Sequence, residues 1–133
     1  MAKRMKATNG NGNGVGDVMS IHRFLIDGFP RNQDNYDGWV RQMGEKARVH
    51  FVLYFDCPEE VCIDRCLSRG AAGSGRIDDN EDSLRKRMKG FYVDTWPIVQ
   101  LYKERGQVEV VDGSGDADSV YRSVKNIFSS SFQ

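Results

Sequence analysis

Arginine dominates any reading of this chain for chemistry. Arg31 follows Asp27-Gly28-Phe29-Pro30, Arg65 and Arg69 lie four apart, Arg76 follows Ser74-Gly75, and Arg87 comes eleven residues after Arg76. A guanidinium is planar and offers paired donors that match phosphate oxygens two at a time. Several of them converging on strand ends would bind a polyphosphate and offset the charge that develops during phosphoryl transfer. The plainer reading of Arg65 and Arg69 is a solvated helix face, because residues four apart share one. The other reactive candidates are weaker. Cys57, Cys62 and Cys66 are too few for a closed zinc site without a nearby histidine and read better as small apolar groups in a reducing compartment. Thr8 to Gly16 alternates glycine with small residues, but Asp17-Val18 follow where a phosphate-binding loop requires lysine and Ser/Thr, so it reads as a surface loop.

Positioning those arginines takes an alternating fold. Phe24-Leu25-Ile26, halted by Asp27-Gly28, reads as a buried strand running into a turn. Asn32 or Asp34 can cap a helix whose inner face holds Tyr36, Trp39, Val40 and Met43. Val49 to Phe55 is apolar apart from His50, as expected of a strand covered on both faces in a parallel sheet. Pro58 opens a helix with Val61, Cys62, Ile63, Cys66 and Leu67 inward, and Gly70 is expected to end it. Gly70 to Asn80 is glycine-rich and charged, the composition of a moving lid. Leu84, Met88, Phe91 and Tyr92 then share a helix face, with a bend expected at Pro97 before Ile98, Leu101 and Tyr102. Val108 to Val111 is a third strand, followed by an Asp112-Gly113-Ser114-Gly115 turn and a helix with Val120, Val124, Ile127 and Phe128 inward. The order predicts an α/β fold with a largely parallel sheet and ligands at the carboxyl ends of its strands.

Composition narrows the partners. The 133 residues suit one domain. They carry 19 basic and 19 acidic side chains, so neither nucleic acid nor an anionic membrane is favoured by net charge. The longest apolar run, Phe51 to Phe55, is far short of the roughly 20 residues of a membrane helix. No secretory leader is readable after Met1-Ala2-Lys3-Arg4, so a cytoplasmic location, with the nucleus as a second compartment, is expected.

Phe24-Leu25-Ile26-Asp27-Gly28-Phe29-Pro30-Arg31, Ser74-Gly75-Arg76-Ile77-Asp78-Asp79-Asn80 and the spacing to Arg87 resemble the adenylate kinase family of nucleoside monophosphate kinases, from about His22 to Phe128. Asn32-Gln33-Asp34-Asn35, Gly38-Trp39 and Phe55-Asp56-Cys57 resemble its eukaryotic UMP-CMP kinase branch more than adenylate kinases proper. The resemblance implies a P-loop NTPase-like sheet with flanking helices and a short lid. It divides the chain into residues 1–22 (a helix remnant and the Gly/Asn loop), 23–69 (first core part), 70–80 (lid) and 81–133 (second core part).

It also implies roles. Asp27 would hold Mg²⁺ through water, and Gly28, Phe29 and Pro30 would let the chain approach the acceptor nucleotide. Arg31 would grip the acceptor phosphate, while Asn35 would read the base through an amide that both donates and accepts. Arg65, Arg69 and the Gly115 backbone would serve ATP, and Arg76 and Arg87 would clamp the acceptor and the transferred group. The implied reaction is ATP with UMP or CMP giving ADP with UDP or CDP, in an enzyme that is typically monomeric. A catalytically silent nucleotide- or partner-binding module is the competing reading, with adenylate kinase specificity a third.

The lid is one residue longer than the family's short form. The family's opening strand, lysine-bearing phosphate loop and following helix have no counterpart in these residues, so the sequence reads as starting inside the helix before the Asp27 strand. That missing strand is central in the family's sheet. Its absence leaves Phe24–Ile26 and Val49–Phe55 without their shared neighbour, and a partly molten, self-associating chain with little activity of its own is expected. Direct pairing of the two strands is the next expectation.

Overall fold

A computed structural model describes residues 22–73 and 80–132. The amino-terminal remnant and Gly/Asn loop, and Arg76 with most of the lid, lie outside those residues.

Side-chain caps set the starts of three helices. Asn32 accepts from the Asn35 amide ahead of α1 (Gln33–Met43), Asn80 from Ser83 ahead of α3 (Glu81–Gly90), and Asp116 from Ser119 ahead of α5 (Ala117–Ser131). Each supplies an acceptor to an amide that has no partner within its own helix. Between α1 and α3 lie β1 (Val52–Asp56) and α2 (Glu59–Ala71). After α3 a π-helical turn over Phe91–Thr95 leads into α4 (Trp96–Glu104), then β2 (Val108–Asp112) and α5. β1 and β2 pair in parallel, Val52 opposite Val108 through Asp56 opposite Asp112. The Gly113 amide extends the ladder by donating to the Asp56 carbonyl at 2.7 Å. The α/β class and parallel sheet expected from the sequence are therefore present.

The core lies where α2, α3 and α4 meet the sheet: Ile63, Leu84, Ile98, Val99, Tyr102 and Val111 are buried. Tyr54 of β1 stacks on Phe91 at 6.1 Å and meets Trp96 at 5.4 Å. At the far end of the sheet Phe51 packs edge-on to Phe128 and His50 stacks on Phe132, tying the end of α5 to the segment before β1. Arg85 bridges Glu59, Glu60 and Glu81 across α2 and α3. All four side chains are solvated, so this network adds little stability.

Four expectations change. Phe24 to Asp27 is not a strand: it has no ladder partner, and Phe24 and Leu25 are 84% and 81% exposed. With β2 as the sole partner of β1 in the described sheet, nothing aligns or covers this run, and it does not pair directly with β1. His50 lies before β1 rather than inside it, exposed, with Nε2 at 3.1 Å from the Ser131 carbonyl. α2 runs past Gly70 to Ala71, and Gly73 takes the positive φ of 83° that had been expected at Gly70. The bend expected at Pro97 takes the form of a π-helical turn just before it: the backbone stays helical from Glu81 to Glu104, and the Trp96 amide reaches back to the Phe91 carbonyl ahead of the proline, which has no donor to give.

Candidate functional site

The loop from Asp27 to Asn35 is built around Arg31. Gly28 has φ +66°, so the backbone calls for glycine, and a Cβ there would stand 3.0 Å from Arg31 Nη2 and push the guanidinium aside. Arg31 Nε donates to the Gly28 carbonyl at 2.8 Å, and the Arg31 amide donates to Asn35 Oδ1 at 3.2 Å. The Phe29–Pro30 bond is cis, and Phe29 lies against Trp39 of α1 with ring centroids 5.9 Å apart. Nε is committed to the loop, while the guanidinium sits on an exposed residue with its in-plane Nη donors available for an oxyanion. Asn35 thus serves locally as a brace: its amide donates to Asn32 Oδ1 and its side-chain oxygen accepts from Arg31. Asp27, next to the turn, is exposed.

A second cluster forms at the carboxyl ends of the strands. Arg65 of α2 reaches the loop after β2, where Nη1 donates to the Gly113 carbonyl at 2.6 Å and Nη2 to those of Ser114 and Gly115 at 2.7 and 2.9 Å. Two of the residues expected to serve ATP, Arg65 and Gly115, are therefore in contact. Asp112 folds the same loop by accepting from the Ser114 amide and hydroxyl, and those bonds hold its carboxyl below the usual aspartate range, with Arg65 adding to the effect. A side chain at Gly115 would displace the Ser119 hydroxyl, since a Cβ would lie 2.6 Å from its Oγ, which donates to the Asp116 carbonyl. Phe55, Cys57, Arg65, Gly115, Val120 and Tyr121 line an open groove of about 870 Å³ alongside. Arg65 differs from the sequence reading in one respect: its fork is spent on backbone carbonyls, so it shapes the loop.

Arg69 stands in the last turn of α2 and Arg87 in the last turn of α3, both exposed. Arg76 lies outside the described residues. The three cysteines are free thiols, and the Cys62 thiol faces the Cys57 carbonyl at 3.9 Å. Burial, reinforced by Cys57, pushes the Cys62 thiol up to about 11.

Sequence reasoning missed Thr95. Its hydroxyl donates to the Arg31 carbonyl at 2.6 Å, so the π-helical turn grips the loop. No spacing rule points to it, because the contact joins residues 64 apart. The Asp112–Ser114 turn was more legible, since Asp followed by Gly-Ser is a side-chain-to-backbone turn signal.

A sequence profile of the family described as Adenylate kinase matches residues 15–107. Among curated proteins, the chain is 57% identical over 105 residues to a UMP-CMP kinase of Danio rerio, covering 79% of this chain and 53% of that protein. It is 56% identical over 107 residues to a UMP-CMP kinase of Xenopus laevis, covering 80% of this chain and 55% of the relative. For a UMP-CMP kinase of Homo sapiens the identity is 53% over 107 residues, covering 80% and 54%. The chain thus spans about half the length of the curated relatives it matches.

Proposed function

The chain belongs to the adenylate kinase family, and on that premise we propose that it supplies the acceptor loop and one flank of the ATP site of a UMP-CMP kinase. The observation that carries this reading is the Arg31 loop: its cation is oriented by Gly28, Asn35 and Thr95 before any ligand arrives. Preorganisation of this kind lowers the cost of binding a phosphate.

In the proposed reaction an oxygen of the UMP or CMP phosphate attacks the γ-phosphorus of ATP, the new P–O bond forms, and the bond to the β-phosphate oxygen breaks to leave ADP. No protein nucleophile takes part; positioning and charge stabilisation do the work. Arg31 holds the acceptor phosphate, and Asn35 addresses the base. Arg65 and Gly115 shape the donor's flank, Arg69 meets its phosphates, and Arg76 and Arg87 clamp the acceptor and the transferred group.

Mg²⁺ fits this residue set in one way. Asp27 offers one exposed carboxylate, and no group of three His, Cys, Asp or Glu side chains among the described residues is arranged to hold a metal. That suits an ion kept hydrated and carried on ligand phosphates, whose charge it would neutralise. Three free thiols suit a reducing compartment, and we place the protein in the cytoplasm.

A second reading, binding without turnover, is favoured by one fact: the glycine-rich stretch of these 133 residues lacks the lysine of a phosphate loop. A coupled ADP-release assay with UMP and CMP, beside calorimetric titration of each nucleotide, separates the two. The 133-residue polypeptide should bind CMP or UMP and turn over at a small fraction of an intact kinase's rate. Robust turnover would show that other groups of the chain hold the donor phosphates. Absence of binding would overturn the acceptor-loop assignment.

A further inference from the structure

A second open pocket lies at the opposite end of the sheet, and what it could bind does not depend on the kinase reading. The Arg31 and Arg65 clusters flank α1's start and the carboxyl ends of the strands. Gln107 and Val49, by contrast, precede β2 and β1 at their amino ends, where the Gln107 side-chain amide donates to the Val49 carbonyl at 3.1 Å. Here Tyr36, Trp39, Arg48, Tyr102, Arg105 and Gln107 line a pocket of about 230 Å³.

Two cations face this pocket, and among the described residues neither has a carboxylate partner. Arg105 is fixed without an acid: its Cζ lies 5.9 Å from the Tyr36 ring and 5.7 Å from the Tyr102 ring, and Nη2 donates to Tyr36 Oη at 3.0 Å. The tyrosines meet edge to face at 5.9 Å, so the cradle is itself packed. An arginine held by aromatic faces has already lost much of its rotamer freedom, yet most of its in-plane donors remain for an oxyanion. Arg48 makes no hydrogen bond or ion pair with any described residue. Trp39 adds a planar apolar wall.

We propose that this pocket binds a small oxyanion borne on a planar ring, the anion on Arg48 and Arg105 and the ring against Trp39 and Tyr36. The volume admits a single substituted ring and is too small for a whole nucleotide. Carboxylate and phosphate monoester share the chemistry that the two forks recognise.

The two tryptophans give the readout, because Trp39 lines the pocket and Trp96 packs on Tyr54 elsewhere; Trp39 also meets Phe29 of the Arg31 loop, so Arg48→Gln separates a probe in the pocket from one at that loop. Phenyl phosphate, benzoate and inorganic phosphate are titrated into the ¹⁵N-labelled chain while both indole N–H signals are followed. A saturable shift of Trp39, with Trp96 still, is expected from at least one ring-bearing probe, and the tighter of the two identifies the anion. Inorganic phosphate should bind about tenfold more weakly than that probe, since it forgoes the stacking. Arg48→Gln should weaken the ring-bearing probe about tenfold by removing one fork. That variant breaks no hydrogen bond or ion pair among the described residues, so the fold survives; Arg105→Gln provides the second test. The proposal fails if neither ring-bearing probe shifts Trp39 saturably below about 10 mM, if inorganic phosphate binds equally well, or if Arg48→Gln leaves affinity unchanged.

Discussion

Thr95 and Arg31 are 64 residues apart in sequence, yet the threonine hydroxyl donates to the arginine's carbonyl oxygen at 2.6 Å. The donor sits in the π-helical turn and the acceptor in the loop that presents the guanidinium, so the helical layer sets the position of the Arg31 side chain, the proposed phosphate grip. Thr95→Val keeps the shape and removes the hydroxyl. One net hydrogen bond is worth about 1 kcal/mol, so CMP or UMP affinity should fall about fivefold, read by titration calorimetry. Unchanged affinity would mean that the loop holds its shape without the π turn.

Arg65 should behave as a brace of the loop after β2. Its three carbonyl contacts span Gly113 to Gly115, a fork that a single ammonium cannot reproduce. Arg65→Ala should lower unfolding free energy by about 2 kcal/mol and Arg65→Lys by nearly as much, measured by urea denaturation. Faster amide exchange over residues 113–116 should accompany both. A lysine variant with normal stability would reduce Arg65 to a simple charge.

Alkaline pH should expose the Cys62 thiol. Burial lifts its pKa from an ordinary value near 9 to about 11, so the folded chain keeps the proton over a range in which the unfolded chain has lost it. Stability from this group is full below pH 9 and disappears as pH rises toward 11. Cys62→Ser removes the titration and should flatten the fall of stability between those limits. Equal slopes for the two proteins would show that the thiol is solvated.

Arg87, with Arg76, carries the proposed clamp. In a kinase that joins these residues to a phosphate-loop half, replacing either with Ala should cut kcat by about a hundredfold or more while the fold survives. Rates near normal would return both side chains to the solvated surface.

Much of the fold could be read from local chemistry. Asn32, Asn80 and Asp116 announce helix starts because a cap involves only neighbours, and Val108 to Val111 announces a strand because three β-branched valines fall within four residues, although only Val111 is buried. Phe24 to Ile26 misled for the same reason: an apolar run specifies readiness to pair, whereas a strand also needs a neighbour, which the described residues do not provide. Gly70 misled because two glycines three apart, Gly70 and Gly73, can each end a helix. In the site, the Gly28 turn was legible. Arg65's use of backbone carbonyls was not, since those acceptors leave no trace in residue type and lie nearly fifty positions away.

The exposed Phe24-Leu25-Ile26 run also has a calorimetric meaning. Heat capacity rises on unfolding because apolar surface becomes hydrated, and a chain of this length ordinarily gains about 1.6–2.0 kcal/mol/K. Phe24, Leu25, Phe55, Val93 and Tyr121 are already substantially hydrated in the folded chain. Unfolding therefore has less left to wet, so the stability curve should be shallow, with a broad thermal transition and a small denaturant slope. Whatever covers that surface would restore the missing heat capacity and, with it, the curvature of an ordinary domain.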